Sequence, residues 1–281
     1  MNSSTAAPGH SPIVRWVSIC ILVLGAFVIV FPALWMLSAS LQTNHEISQY
    51  PPSLLPNPVT LSGYIQGIKV LPFLRYFFNT TEISVLSSVG GVISSSMAGF
   101  AFARLKFPGK NILFVCVLSG LMIPYAVIMI PQYLLFKQLG WIDTYFPLIV
   151  PAWLGLPFLI FLFRQFFAGI PNEVFEAAKI DGCGYPRLYF QIAIPLAMPA
   201  VATAFIFHFQ FAWNDFLAPL IYLNNNMKYT LSLGLAGFTG ACDCTPWNQL
   251  MAVSIIVVLV PILVFFFAQK YVLRGIVLTS K

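Results

Sequence analysis

Long apolar runs alternate with short polar or proline-rich stretches along the whole chain. The first run, VSICILVLGAFVIVFPALWML, predicts a helix over residues 17–37, with Pro32 placed to bend its outer end. Roughly 20 apolar residues are enough to cross a bilayer. Five further segments, 78–103, 112–129, 146–163, 192–217 and 250–271, meet or approach that length. The second is rich in Ser and Gly, which let helices approach closely in a membrane. It also carries Glu82, which must face protein or water. Pro124 falls inside the third segment, and Pro147, Pro151 and Pro157 make the early turns of the fourth irregular. Pro195 and Pro199 sit near the start of the fifth. The intervening stretches predict connections: a loop over 38–75 containing PPSLLPNP and lying on the membrane surface, a basic turn over 104–110, a link over 130–145, a polar insert over 164–191 and a loop over 218–248.

Composition supports a membrane protein. Of 281 residues, 59% are hydrophobic and only 8% charged, against about 25% charged in ordinary soluble domains. A separate soluble core is excluded. No small-residue cleavage site follows the first run, which reads as a retained span. The formal charge of +6 is spread over residues that flank the apolar runs, a membrane-orientation pattern rather than a nucleic-acid stripe. With the N-terminus cytoplasmic, the inner segments hold ten basic residues: Arg15, Arg104, Lys106, Lys110, Arg164, Lys179, Arg187, Lys270, Arg274 and Lys281. The outer segments hold four: Lys69, Arg75, Lys137 and Lys228. Both termini are therefore expected inside, with residues 1–16 an N-terminal segment, 17–272 the six-span domain and 273–281 a cytoplasmic tail. Cys242 and Cys244 form a CxC pair, too few ligands for a structural zinc site. Their pairing as a local disulfide stays open.

Two regions carry candidate chemistry. PNEVFEAAKIDG, within the insert, reads as a short helix with its stop: Pro171 suits the start, Glu173 the first turn and Gly182 the end. Tyr185-Pro186 then restricts the chain, giving a helix-turn-helix knob. Val174, Ala177 and Ala178 offer a small apolar surface, and Glu176 and Asp181 offer charged contacts. The second region is the WND cluster, where Asp215 is costly to face lipid unpaired. Gln210 and Asn214, four apart, share a helix face. Gln210, Asn214 and Asp215 are candidates for a polar path, with packing or helix capping the competing role. Trp213 could line that cavity or anchor its helix near headgroups, and His208 reads as a packing residue. No GxxxxGK[ST], HExxH or GxSxG pattern occurs, so catalysis and a bound cofactor are not expected in this chain.

Glu176-Ala177-Ala178, Asp181-Gly182 and Ile192-x-Ile194-Pro195 resemble the EAA motif of ABC-importer permeases, with Ile194 where that pattern prefers Leu. FPGK at 107–110, WNDFLAPL at 213–220 and QKYVLRG at 269–275 extend the likeness over nearly the full length, to the MalG-like membrane subunits of carbohydrate importers. The resemblance implies an all-α integral membrane protein with six transmembrane helices of the type I ABC importer permease fold and a cytoplasmic coupling helix within residues 171–195. It places Glu176, Ala177, Ala178, Asp181 and Gly182 at an ATPase-coupling interface, with Arg187 contacting either that ATPase or anionic headgroups. It also implies the partners: a second homologous permease subunit, two copies of a cytoplasmic ABC ATPase that use ATP and Mg, and an extracellular or periplasmic solute-binding protein. The expected substrate is a disaccharide or oligosaccharide, the expected setting the lipids of a bacterial or archaeal plasma membrane. Polyol and glycerol-phosphate importers share the architecture. An ion-gradient-driven transporter, using Glu82 and Asp215, and a membrane scaffold recruiting a soluble protein are the competing classes.

Overall fold

A computed structural model describes residues 12–239 and 245–278, and every regular element among them is helical. The chain divides into two compact units, Met1–Val70 with Asp243–Ile256, and Leu71–Cys242 with Val257–Lys281.

The first unit contains α1 (Pro12–Ser40), α2 (Asn44–Ile47), α3 (Ser62–Val70) and the opening turns of the last helix. The helix α1 passes through Pro32 as one element, so the expected bend does not interrupt it. The stretch 38–75 is not the plain surface loop that its prolines suggest. A carboxylate oxygen of buried Glu46 accepts the Asn57 N–H at 2.7 Å and the Ser53 hydroxyl at 3.2 Å. The Gln42 amide donates to the Ser53 carbonyl at 3.1 Å. Two buried polar side chains thus supply partners for a proline-rich backbone that cannot pair with itself. The unexpected α3 forms where Gly63 and Gly67 allow close approach: a Cβ on Gly63 would lie 2.7 Å from the Asn248 carbonyl oxygen.

In the second unit, α4 (Phe73–Arg104) is the central element, starting five residues before the apolar pattern predicts. There follow α5 (Lys110–Ser119), α6 (Tyr125–Gln138), α7 (Phe146–Trp153), α8 (Pro157–Gly169), α9 (Asn172–Ile180), α10 (Tyr185–Arg187), a π-helical turn over Leu188–Ala193, α11 (Ile194–Leu196), α12 (Met198–Trp213), α13 (Leu217–Tyr222) and α14 (Leu231–Ala236). The last helix, α15 (Trp247–Leu278), runs through Pro261 and past the end expected for the sixth segment. Cys242 and Cys244, and the side chains of Lys270, Arg274 and Lys281, lie outside the described residues.

Among the described residues, four stretches are long and apolar enough to cross a membrane: Val14–Ser40, Phe73–Arg104, Phe146–Gly169 and Trp247–Phe267. Two bent pairs, Lys110–Met122 with Tyr125–Gln138 at 99° and Tyr185–Leu196 with Met198–Trp213 at 77°, make six if each pair is one span. The third predicted segment is therefore not straight, and helix α6 occupies much of the expected link 130–145. Pro124 causes the break: it has no N–H to continue α5 and holds Ile123 extended at φ −84°, ψ 114°. The fifth segment bends at Ala197, between Pro195 and Pro199, and the π-turn precedes it. The expected loop 218–248 contains α13 and α14.

Helix α4 packs against α7, α8 and α12. Lipid tails are as apolar as Leu, so helix association rests on close fit and hydrogen bonds. Gly99 shows the fit: a Cβ there would fall 2.6 Å from Phe163 Cβ and 2.9 Å from the Arg164 amide nitrogen. In the same buried cluster as Phe163, Ala193, Ala197, Ala200 and Ala204 supply small residues. The polar residues of α4 serve the broken backbone around it. Ser95 Oγ accepts the Leu156 N–H at 2.9 Å where α7 and α8 part. Thr80 Oγ1 accepts the Leu231 N–H at 2.8 Å, and the Asn79 amide donates to the Met227 and Tyr229 carbonyls, each at 3.0 Å. Irregular backbone persists at membrane depth only with such partners.

Candidate functional site

The knob expected in the polar insert is α9 and the turn that ends it. Pro171 occupies the N-cap position, and Glu173 lies in the first turn, as a helix N-terminus favours. The end is a complete Schellman stop. The Cys183 N–H donates to the Ala178 carbonyl and the Gly182 N–H to the Lys179 carbonyl, both at 3.0 Å. Gly182 stands at φ +80° with nothing within 4 Å of a would-be Cβ, so glycine is needed there for conformation and not for space.

One face of α9 roots it to the second unit. Phe175 and Ala178 are buried, and Phe175 packs against Phe100 at 6.3 Å. Arg104, the last residue of α4, holds the junction. Its guanidinium lies 4.3 Å from the Phe175 ring centroid and donates to the Phe167 and Ile170 carbonyls at the end of α8 and to the Asn172 side chain. Sequence reading treats Arg104 only as a flanking charge, because its acceptors are carbonyls more than sixty residues away. Tyr189, in the π-turn, adds a second root: its hydroxyl pairs with Ser96 Oγ at 2.6 Å.

The opposite face of α9 is free. Glu176, Ala177, Asp181, Gly182 and Arg187 are all exposed, and Ile180 is 87% exposed although apolar. Ala178 departs from the expected grouping because its side chain packs inside its own chain. The helix-turn-helix thus projects a small apolar tip with a charged rim.

The candidate path residues separate. Gln210 and Asn214 line one hollow of about 380 Å³ with Val258, Pro261, Ile262 and Phe265. The Asn214 amide donates to the Gln210 carbonyl at 2.7 Å, capping the end of α12. Asp215 lines a different cavity of about 500 Å³, together with His208, Tyr125, Gln132 and Tyr222 on otherwise apolar walls. An Asp215 carboxylate oxygen accepts the Ala218 N–H at 3.2 Å, starting α13. His208 Nε2 is buried without a hydrogen-bond partner among the described residues. Trp213 is neither a cavity wall nor an anchor near headgroups: it is 1% exposed, wedged between Phe77 and Phe209 at ring distances of 5.9 and 5.5 Å. Glu82 lies exposed on α4.

A further contact, absent from the sequence reading, pins the loop before α7. Asp143 takes the left-handed conformation at φ +60°. Its Oδ1 accepts the Asn224 and Asn225 N–H groups at 3.1 and 3.0 Å, and its Oδ2 meets Lys228 Nζ at 2.9 Å. The Asn225 hydrogen bond first, then Lys228, hold this carboxyl below the usual carboxylate range.

The profile of the family described as "Binding-protein-dependent transport system inner membrane component" matches residues 90–277. An arabinooligosaccharides transport system permease protein of Halalkalibacterium halodurans is 34% identical over 273 residues, covering 95% of this chain and 96% of that protein. An sn-glycerol-3-phosphate transport system permease protein of Agrobacterium fabrum is 32% identical over 280 residues, covering 97% and 99%. In fold, the chain superposes with a TM-score of 0.83 on a chain of a bacterial ABC transporter involved in the import of the acidic polysaccharide alginate. That alignment covers 95% of this chain and 100% of the other at 22% identity. The chain therefore belongs to the binding-protein-dependent transport system inner membrane component family and is a multi-pass, non-catalytic permease subunit of a solute-importing ABC transporter, working with ATPase partners.

Proposed function

We propose that this chain is the MalG-like half of a heterodimeric permease that imports a neutral oligosaccharide or disaccharide. It has six spans and both termini in the cytoplasm, and α9 transmits ATP-driven closure from a pair of identical ATPase subunits. A solute-binding protein delivers the sugar on the other side, and a second, similar permease completes the path. The projection of α9 carries this reading: one face is rooted by Phe175, Ala178 and Arg104, and the other leaves Glu176, Ala177, Ile180, Asp181 and Gly182 free. A helix rooted in this way moves as one body with α4 and α8, so force applied at its tip reaches the spans. Arg187, at the end of α10, is exposed as well.

For the substrate, the similar proteins named for arabinooligosaccharides and for glycerol 3-phosphate point in different directions. The cavity around Asp215 favours the sugar. Its polar lining is Tyr125, Gln132, His208, Asp215 and Tyr222, with no Lys or Arg to hold a phosphate. Hydroxyl-rich ligands suit such a mixture of donors and acceptors on apolar walls.

Gentle detergent extraction through a tag on this chain, followed by mass spectrometry, tests the assembly. A second permease and a cytoplasmic ATPase should copurify. Glu176→Ala should lower ATPase recovery roughly tenfold while leaving membrane insertion unchanged. Unaltered ATPase recovery and uptake in that variant would remove Glu176 from the interface.

A further inference from the structure

At the end of α4 that carries α9, positive charge accumulates without an answering carboxylate. Arg104, Lys110 and Arg164 are each half-buried there, and Lys106 is exposed beside them. Lys110 lies within electrostatic reach of both Arg164 and Arg104. Among the described residues, Lys228 with Asp143 is the only ion pair, so neither Glu173, which follows the Asn172 that Arg104 contacts, nor any other carboxylate pairs with this cluster. Arg104 is committed to the α8 carbonyls. Lys110 Nζ reaches only the Leu105 and Ala103 carbonyls, at 3.1 and 3.5 Å. The Arg164 guanidinium lies 4.1 Å from the Phe114 ring centroid and has no acceptor among the described residues. Holding several like charges together, partly out of water, is unfavourable unless an anion joins them.

We propose that the turn between α4 and α5 binds the headgroup of an anionic phospholipid, with Lys106 and Lys110 at the phosphate and Arg164, within electrostatic reach of Lys110, adding positive charge from outside the hollow. An open hollow of about 520 Å³ already exists there, lined by Lys106, Phe107, Lys110 and Asn111 among others. The first turn of α5 borders it with backbone N–H groups that no side chain caps, Gly109 standing at the N-cap position with φ +75°. Those amides add to the side-chain charge and are not the basis of the site. What selects a lipid over an acidic protein surface is the next stretch of α5. Ile112, Leu113 and Val115 are 72%, 51% and 63% exposed, an apolar surface that continues directly from the charged turn. Charge followed at once by exposed hydrocarbon matches an amphiphile whose acyl chains lie along α5. The bound lipid would neutralise the cluster beside the root of α9 and so steady the junction through which α9 is held.

The test is native mass spectrometry of the full chain, purified in detergent with whatever subunits copurify, titrated with phosphatidylglycerol or with phosphatidylcholine of the same acyl chains. The wild type should prefer phosphatidylglycerol. Arg164→Gln and Lys110→Gln should each weaken phosphatidylglycerol binding about fivefold, leave phosphatidylcholine binding unchanged, and be rescued by Arg164→Lys and Lys110→Arg. Equal phosphatidylglycerol binding in the wild type and the Gln variants would overturn the proposal. So would loss of a copurifying protein subunit with lipid binding intact, which would make an acidic protein surface the occupant. Should Arg164→Gln fail to fold, Lys106→Gln combined with Lys110→Gln puts the same question without touching α8.

Discussion

At the scale of single residues, Asp143 shows how one side chain can organise two loops. Its left-handed backbone aims the carboxylate at the Asn224 and Asn225 N–H groups while Lys228 closes from the side. The folded chain favours the charged form, since the carboxyl is held below its usual range. The contribution is therefore fully present at neutral pH and disappears as pH falls through that lowered value, beneath the ordinary aspartate value of about 3.9. The two side chains remain about a third exposed, at 31% and 35%, so solvent screening keeps the ion pair to roughly 1 kcal/mol or less. Asp143→Asn should fit the left-handed position and keep an acceptor, yet lose the charge. Hydrogen exchange over residues 222–229 should then be faster at neutral pH in the variant. Wild type and variant should converge in acid; equal exchange at neutral pH would remove Asp143 from any structural role. Nothing in the local sequence announces this contact, because its partners lie some eighty residues away. The stop at Gly182, by contrast, was readable, because a Schellman motif depends on neighbours within six residues. The free face of α9 was likewise legible from Glu176-Ala177 and Asp181-Gly182. The inward turn of Ala178 was not, because it depends on where Phe100, Arg104 and Phe167 arrive from other helices.

Among whole elements, apolar length marked where the long helices lie, but a proline alone did not mark where a helix breaks. Pro32 and Pro261 sit inside unbroken helices, whereas Pro124 and the pair Pro195 and Pro199 coincide with bends of 99° and 77°. Sequence treats these prolines alike. Freed backbone at a break needs a partner, as Ser95 supplies for Leu156 between α7 and α8. The Ser- and Gly-rich character of α4 was legible as a close-packing face, but its hydrogen bonds to distant backbone were not. Packing around α4 gives a matched test. Gly25 in α1 has nothing within 4 Å of a would-be Cβ, while Gly99 meets Phe163 Cβ at 2.6 Å and backbone atoms of Arg164 and Ile160 at 2.9 and 3.1 Å. Alanine in a helix gains about 0.5–1 kcal/mol over glycine where space allows. Overpacking against a backbone costs about 1–3 kcal/mol. Gly25→Ala should therefore leave the melting temperature of the purified chain unchanged or raise it, and Gly99→Ala should lower it. If both variants shifted upward, the close fit of α4 on α8 would be refuted.

For the whole molecule, the proposed sugar import turns on which side of α12 forms the path. Gln210 and Asn214 face a hollow beside α15, whereas His208 and Asp215 face the cavity shared with Tyr125, Gln132 and Tyr222. A hydroxyl-rich solute needs groups that are not already committed. Asn214 spends its amide on the Gln210 carbonyl, which makes it a helix cap first. His208 Nε2 has no partner among the described residues, and one Asp215 oxygen holds the start of α13 while the carboxylate keeps further acceptor capacity. These facts favour the Asp215 side. Asp215→Asn preserves the cap, because asparagine caps helices as well as aspartate. Gln132→Leu removes a donor and an acceptor without adding charge. Both variants, and His208→Leu, should assemble with the second permease and the ATPase but lower sugar uptake, by about tenfold for each buried hydrogen bond lost to the substrate. Asn214→Ala should leave uptake within roughly twofold, since capping changes of about 1 kcal/mol or less act on stability and not on a passing ligand. Radiolabelled sugar uptake into proteoliposomes, normalised to assembled complex, separates the two sides. Loss of uptake in Asn214→Ala alone, with the three cavity variants active, would move the path to the face shared by Gln210 and α15. Uptake unchanged in all four would give both hollows a purely structural role and transfer the sugar contacts to the partner permease.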